Sequence, residues 1–122
     1  MTPWKGAPIM LITTKSTGTT AAITPHGEIS FDALPTLLTA YEALPPSVRQ
    51  VEWDLRDAVF MDVAGLHLLV HQRLACQNAG RTLTVTGLRH QPLRLLLLAR
   101  TLFPADCWND FLPPDHRPAT AA

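Results

Sequence analysis

Charge of one sign is missing from this sequence: ten lysines and arginines meet ten aspartates and glutamates, for a formal net charge of zero. Nucleic acid and anionic membrane surfaces both select a basic excess, so neither direct nucleic-acid binding nor membrane insertion is expected. Cysteine is scarce as well. Cys76 and Cys107 are the only two, and their spacing matches no metal-ligand pattern, which argues against a disulfide framework and for a cytoplasmic setting. No apolar run approaches the roughly eighteen residues of a membrane span. Residues 1–15 are too short a stretch, and too broken by proline, to read as a secretory signal. The six glycines are scattered, so there is no glycine-rich phosphate loop, and no Gly-x-Ser-x-Gly nucleophile turn occurs. What is present is 47% hydrophobic composition in 122 residues, enough for one domain with a real core. That domain is placed at 9–112, between a flexible arm at 1–8 and a disordered tail at 113–122.

The stretch 51–80 organises the rest. Val51, Trp53 and Leu55 alternate with Glu52 and Asp54, the period of a strand. After Arg56-Asp57 a compact apolar run, Ala58-Val59-Phe60-Met61, ends at Asp62. From Gly65 the period becomes helical: Leu66, Leu69, Val70 and Leu74 are assigned to the buried face, with Gly80 as the C-terminal cap. Asp62 is assigned the N-cap, where a carboxylate suits the positive end of the helix dipole. Upstream, strands over 9–14 and 19–24 form a hairpin, and residues 27–30 lead into a helix. That helix buries Leu34, Leu37, Leu38 and Tyr41, is capped by Ser30 or Asp32, and stops at Pro45-Pro46. Downstream, Thr82–Thr86 is the next strand. Pro92 then opens a helix over 93–102, where Leu95 and Leu98 are expected near the surface as a weak homodimer contact. A last short element is expected over 108–112. Short connections and right-handed crossovers give an α/β fold, a mixed sheet of four or five strands with three or four helices. An antiparallel N-terminal hairpin joins a parallel βαβαβ unit.

Reactive constellations are sparse. His67 and His71 share a helix face at the spacing of two zinc ligands, but no glutamate stands between them. Cys76 falls on the opposite side, so a third ligand would have to come from elsewhere, such as His26 or His90. A metal-dependent enzyme is therefore the weakest reading, and two solvated histidines the simpler one. Asp54, Asp57 and Asp62 read as solvated or capping carboxylates rather than an acid–base pair. No catalytic residue, metal or cofactor is expected. The helix entrance remains: Ala64, His67 and His71 form a stripe offset from the assigned apolar face, and its small residues would let another protein approach the backbone.

These residues carry a family resemblance. The run DLRDAVFMDVAGLHLL, the preceding GEIS and the following NAGRTLTVTG resemble a STAS domain, the fold of bacterial anti-sigma factor antagonists. The resemblance is specific at Gly27-Glu28, Phe60-Met61-Asp62, Gly65-Leu66 and Gly80. It implies a non-enzymatic binding module that engages an anti-sigma factor with a serine-kinase fold and so regulates transcription. In that family the kinase phosphorylates a serine in an Asp-Ser-Ser-Gly-like motif, adding about −1.5 to −2 charges that a packed interface desolvates only at high cost. Asp62 and Gly65 match that motif, whereas Ala64 stands at the phosphoacceptor position and has no hydroxyl. Val63 replaces a small polar residue, Ser30 stands for a common aspartate, and Thr101 for a glycine. The resemblance thus places the partner-binding surface at Ser30, Asp62, Val63, Ala64, Gly65 and His67, without a phosphorylation switch. Its alternative is a STAS subunit of a lipid-trafficking ABC transporter, which binds the ATPase and whose motif tolerates a non-serine residue.

Overall fold

The computed structural model describes residues 10–116. The N-terminal arm and the last residues of the tail, 117–122, lie outside that range. Strands β1 (Leu11–Thr17) and β2 (Thr20–Ile29) form the antiparallel hairpin, with Thr17 opposite Thr20. β2 does more than the sequence suggests. Residues 20–23 pair in parallel with β3 (Gln50–Asp54), and residues 27–29 pair in parallel with β4 (Ala58–Met61). Pro25 and Gly27 read as breakers, yet the strand runs through both to Ile29, so residues 27–29 are strand rather than a lead-in to helix. The register shifts between Gly27 and Glu28, where Gly27 adopts φ 116°, a conformation open mainly to glycine. That bulge lets one long strand serve two partners in succession.

β5 (Thr82–Thr86) lies parallel to β3, with Val51 opposite Leu83 and Trp53 opposite Val85. α2 (Val63–Ala79) supplies the long crossover that a parallel neighbour requires. The sheet therefore has five strands in the order β1-β2-β3-β5, with β4 beside the far end of β2. α1 (Leu34–Glu42) follows a 3₁₀ turn at Phe31–Ala33 and buries Leu37 and Tyr41, as the spacing predicts. Neither Ser30 nor Asp32 caps it: the N-cap residue of α1 is Ala33, and Ser30 precedes the 3₁₀ turn without a side-chain cap bond. α3 (His90–Leu102) begins before Pro92, which sits in its first turn. Leu96 is fully buried and Leu95 is partly buried against the core, so of the Leu95–Leu98 pair Leu98 alone stands out into solvent. Beyond α3, 3₁₀ turns at Pro104–Asp106 and Trp108–Phe111 fold back to bury Trp108, Phe111 and Leu112. A further turn at Pro114–His116 occupies the start of the segment expected to be disordered, and its His116 carbonyl accepts from the Arg100 guanidinium.

The main departure is the rotation of α2. Its inward face is Gly65, Leu68, Leu69, Gln72 and Cys76, whereas Val70 (37% exposed) and Leu74 (58%) turn outward. Leu66 and Leu69 are inside as assigned. Gln72 explains the difference, since a fully buried glutamine interrupts the apolar stripe by which a buried face is recognised. Its Oε1 accepts the indole N–H of Trp53 at 3.0 Å, joining α2 to the centre of β3. A buried amide without a partner would cost about 1–3 kcal/mol, so the bond is what makes the position tolerable.

Candidate partner-binding site

The β4–α2 junction is pinned from three directions. Asp62 has extended backbone and caps α2, its carboxylate accepting the Ala64 N–H at 2.7 Å. Its own N–H donates to the Ile29 carbonyl at 3.2 Å, and its carbonyl accepts from Gly65 N–H at 2.9 Å. The third tether is Gln91 on α3. Met61 N–H donates to Gln91 Oε1 and Gln91 Nε2 donates to the Met61 carbonyl, both at 2.9 Å. Sequence reading gave no signal for Gln91, thirty residues away from Met61 and on a different element.

The small residues at this entrance face inward, which corrects their expected role. Ala64 is completely buried. Gly65 is also buried, and a Cβ built there would fall 2.1 Å from Met61 Cε and 2.9 Å from Met61 Cβ. The helix lies so close to β4 that only glycine fits; the close approach is made by the protein's own strand, not left open to a partner. Ala64, the residue expected at the phosphoacceptor position, is thus buried as well as without a hydroxyl. Of the six residues assigned to the surface, Val63 (52% exposed) and His67 present side chains outward, and Asp62 is committed to the cap. Ser30 is half-buried and leads into Phe31.

What α2 does offer is apolar. Val63, Leu66, His67 and Val70 line one wall of a groove of about 290 Å³, and Phe103, Asp106 and Trp108 line the other. Phe31, exposed, lies against His67 with ring centroids 6.0 Å apart. The outward Val70 and the exposed Phe103, both missed as surface residues by the sequence, are therefore part of one contiguous feature. Lone exposed apolar side chains are ordinary; here several are gathered beside one groove.

Reactive chemistry is not assembled on this side. Burial pushes the Cys76 thiol up, away from thiolate character. His67 and His71 are both exposed, and among the described residues no group of three or more His, Cys, Asp or Glu could hold a metal ion. No helix among the described residues is long and apolar enough to cross a membrane.

No curated protein sequence matches this chain. Among solved structures, a crystal structure of Mglu aligns with TM-score 0.58 and 20% identity over 65% of this chain, which spans a fifth (20%) of the Mglu chain. The anti-sigma factor antagonist SpoIIAA in its unphosphorylated form aligns with TM-score 0.54 and 15% identity, covering 77% of this chain and 82% of SpoIIAA. The murine Slc26a9 anion transporter aligns with TM-score 0.60 and 12% identity, over 81% of this chain and 17% of the transporter. At such identities the likeness is one of fold, and it is the fold expected. The sequence model of the family described as "Mlab, STAS domain" matches residues 12–101, well over half of the chain, and on that match the chain belongs to the Mlab STAS-domain family.

Proposed function

We propose that this chain is a cytoplasmic docking module that seats an ATPase-fold partner on the groove formed by α2 and Phe103, by binding alone and with no phosphorylation switch at α2. The observation that carries this reading is the contrast at the helix entrance. Ala64, at the phosphoacceptor position, is buried and has no hydroxyl, while Val63, His67 and Val70 beside it form an apolar wall. Burial of apolar area stabilises association by about 25 cal/mol per Å² before its costs are subtracted.

The ATPase subunit of a lipid-trafficking ABC transporter is the favoured partner. STAS subunits of such transporters tolerate a non-serine residue here, and the matching family model is the Mlab one. A constitutive anti-sigma factor antagonist, bound to a serine-kinase-fold anti-sigma factor, is the second reading. It is supported by the Asp62 cap and Gly65, which match the antagonist motif, and by the likeness of fold to SpoIIAA.

The test is capture of partners from lysate on the full chain, followed by calorimetric titration of the purified partner. Val63→Glu is the informative variant, because Val63 is the first residue of α2 and exposed. A carboxylate there complements the helix dipole by about 0.3–1 kcal/mol, so folding is retained. Desolvating it against a partner weakens binding at least ~10-fold, or ~1.4 kcal/mol. Recovery of an ABC ATPase supports the first reading and of an anti-sigma kinase the second. Unchanged affinity for the variant would move the interface off this groove.

A further inference from the structure

The face of the sheet opposite Trp53 carries a second groove, of about 370 Å³, distinct from the docking surface. Thr13 and Lys15 of β1, Thr24 and His26 of β2, and Asp54 of β3 line it, closed by Asp57 from the β3–β4 turn. Three of these side chains form a chain of polar contacts. Thr13 Oγ1 lies 2.9 Å from His26 Nε2, and His26 Nδ1 lies 3.2 Å from an Asp57 carboxylate oxygen. An ionised carboxylate only accepts. With a neutral ring, Nδ1 therefore carries the proton, and Nε2 is left as the acceptor. The Thr13 hydroxyl must then be the donor. The result is a hydroxyl, a base aimed at its proton and a carboxylate holding the base, the order of groups found in nucleophilic acyl transfer.

The scaffold holds this order from three separate segments. Hairpin register sets Thr13 opposite Thr24 and Leu11 opposite His26, which places Thr13 one diagonal step from the imidazole. The Asp57 carbonyl accepts the Gly27 N–H at 3.0 Å, fixing the turn beside His26. Other charges that line the groove are committed: Arg56 is paired with Asp54 at 2.6 Å, and Glu52 accepts from Thr86 Oγ1 at 2.6 Å. Lys15, two residues along the same strand face, lines the groove with no ion-pair partner among the described residues and is placed to meet a developing oxyanion.

We propose that Thr13, His26 and Asp57 form an acyl-acceptor site for small, neutral activated esters. Thr13 Oγ forms a bond to the acyl carbon as its proton passes to His26 Nε2, with Asp57 stabilising the imidazolium. The C–O bond to the leaving group then breaks, its electron pair leaves with that oxygen, and the proton on Nε2 is returned to it. Water attacks the threonyl ester by the reverse arrangement, giving the free acid and restoring the Thr13 hydroxyl. Neutral esters are specified because Glu52, Asp54 and Asp57 outnumber Lys15 and Arg56 around the groove. The base is the one part of this machinery that the geometry places, oxyanion donors being ordinarily the larger contribution to such catalysis. The acceleration is accordingly that of a positioned base alone, about 100-fold at the lower end of its range.

The probe is p-nitrophenyl acetate applied to the full chain, with peptide mass mapping of the acetyl group and nitrophenol release as the two readouts. Thr13 carries acetyl in the wild type, and Thr13→Ala abolishes that label. His26→Ala slows labelling of Thr13 about 100-fold, and the isosteric Asp57→Asn slows it at least about 10-fold. Thr13→Ser labels at least as fast as wild type. These side chains are partly or fully exposed, and melting curves of each variant confirm that the fold is kept. Acetyl confined to Lys15, or Thr13 labelled at the same rate with and without His26, would overturn the proposal.

Discussion

Gly65→Ala sets two terms of opposite sign against each other. Inside a helix, exchanging glycine for alanine is worth about 1 kcal/mol of stabilisation from propensity. Against it, the added methyl meets Met61 Cε at 2.1 Å and Met61 Cβ at 2.9 Å. The Cε is the far end of a flexible side chain, but Met61 is completely buried within the hydrophobic core, so its end moves only against core neighbours. The Cβ belongs to β4 and moves only with the strand, which Gln91 and Ile29 hold in place. Overpacking of this kind costs about 1–3 kcal/mol, and contact with the strand itself puts it toward the upper end. The expected balance is a net loss of about 1–2 kcal/mol, read as a lower urea midpoint at constant slope. A second arm isolates the cause. Met61→Ala alone should cost ~2–5 kcal/mol as a cavity, and in the double variant the alanine methyl fills part of that void. The pair should therefore fall short of additivity by about 1 kcal/mol or more. A stabilised Gly65→Ala, or strict additivity, would refute the close approach of α2 to β4 on which the inward placement of Ala64 rests.

Three further outcomes are expected. Leu69→Ala should lose ~2–5 kcal/mol in urea melts, and His71→Ala no more than ~0.5, with equal losses contradicting the rotation of α2. Gln72→Leu leaves the Trp53 indole N–H without its buried acceptor, at about 1–3 kcal/mol, together with a shift in tryptophan fluorescence. Burial alone would raise the Asp54 carboxyl, but hydrogen bonds from the Arg56 guanidinium and N–H hold it below its ordinary value of 3.8. A carboxyl depressed in the folded state contributes stability that is present at neutral pH. That contribution begins to fade as pH drops through the ordinary value and is lost as pH falls through the folded one. Acid melts of Asp54→Asn should lack that component; a wild-type-like acid slope would count against the pairing.

Alternation and turn chemistry made the skeleton legible: β5 beside β3, α2 between them, and Asp62 as the cap all follow from residues within one short stretch. The rotation of α2 did not, because the sign of its amphipathicity is reversed at two places. Gln72 is inside on account of a bond to Trp53, and Leu74 is outside, on the face of α2 turned away from the core. The extension of β2 was hidden for a related reason. Pro25 and Gly27 stop an isolated strand, but Ile29 and Glu28 find their neighbours in β4, across a chain separation that local patterning does not encode. The docking surface suffered most. Small residues at a helix start fit equally a partner's approach or the protein's own strand, and only the Met61 contact decides between them. Thr13, His26 and Asp57 lie on three segments, so no spacing rule could have joined them.

The Gln91 amide has a consequence for solubility. By meeting both the N–H and the carbonyl of Met61, it occupies the place that the peptide group of another strand would take beside β4. An open strand margin is a template for pairing with other chains, and proteins block such margins in many ways. Here the block is a single side chain delivered by the first turn of α3. A change as small as Gln91→Ala would bare the last rung of β4 next to the exposed Val59 and Phe60, turning a closed rim into a sticky one whose self-association rises with protein concentration.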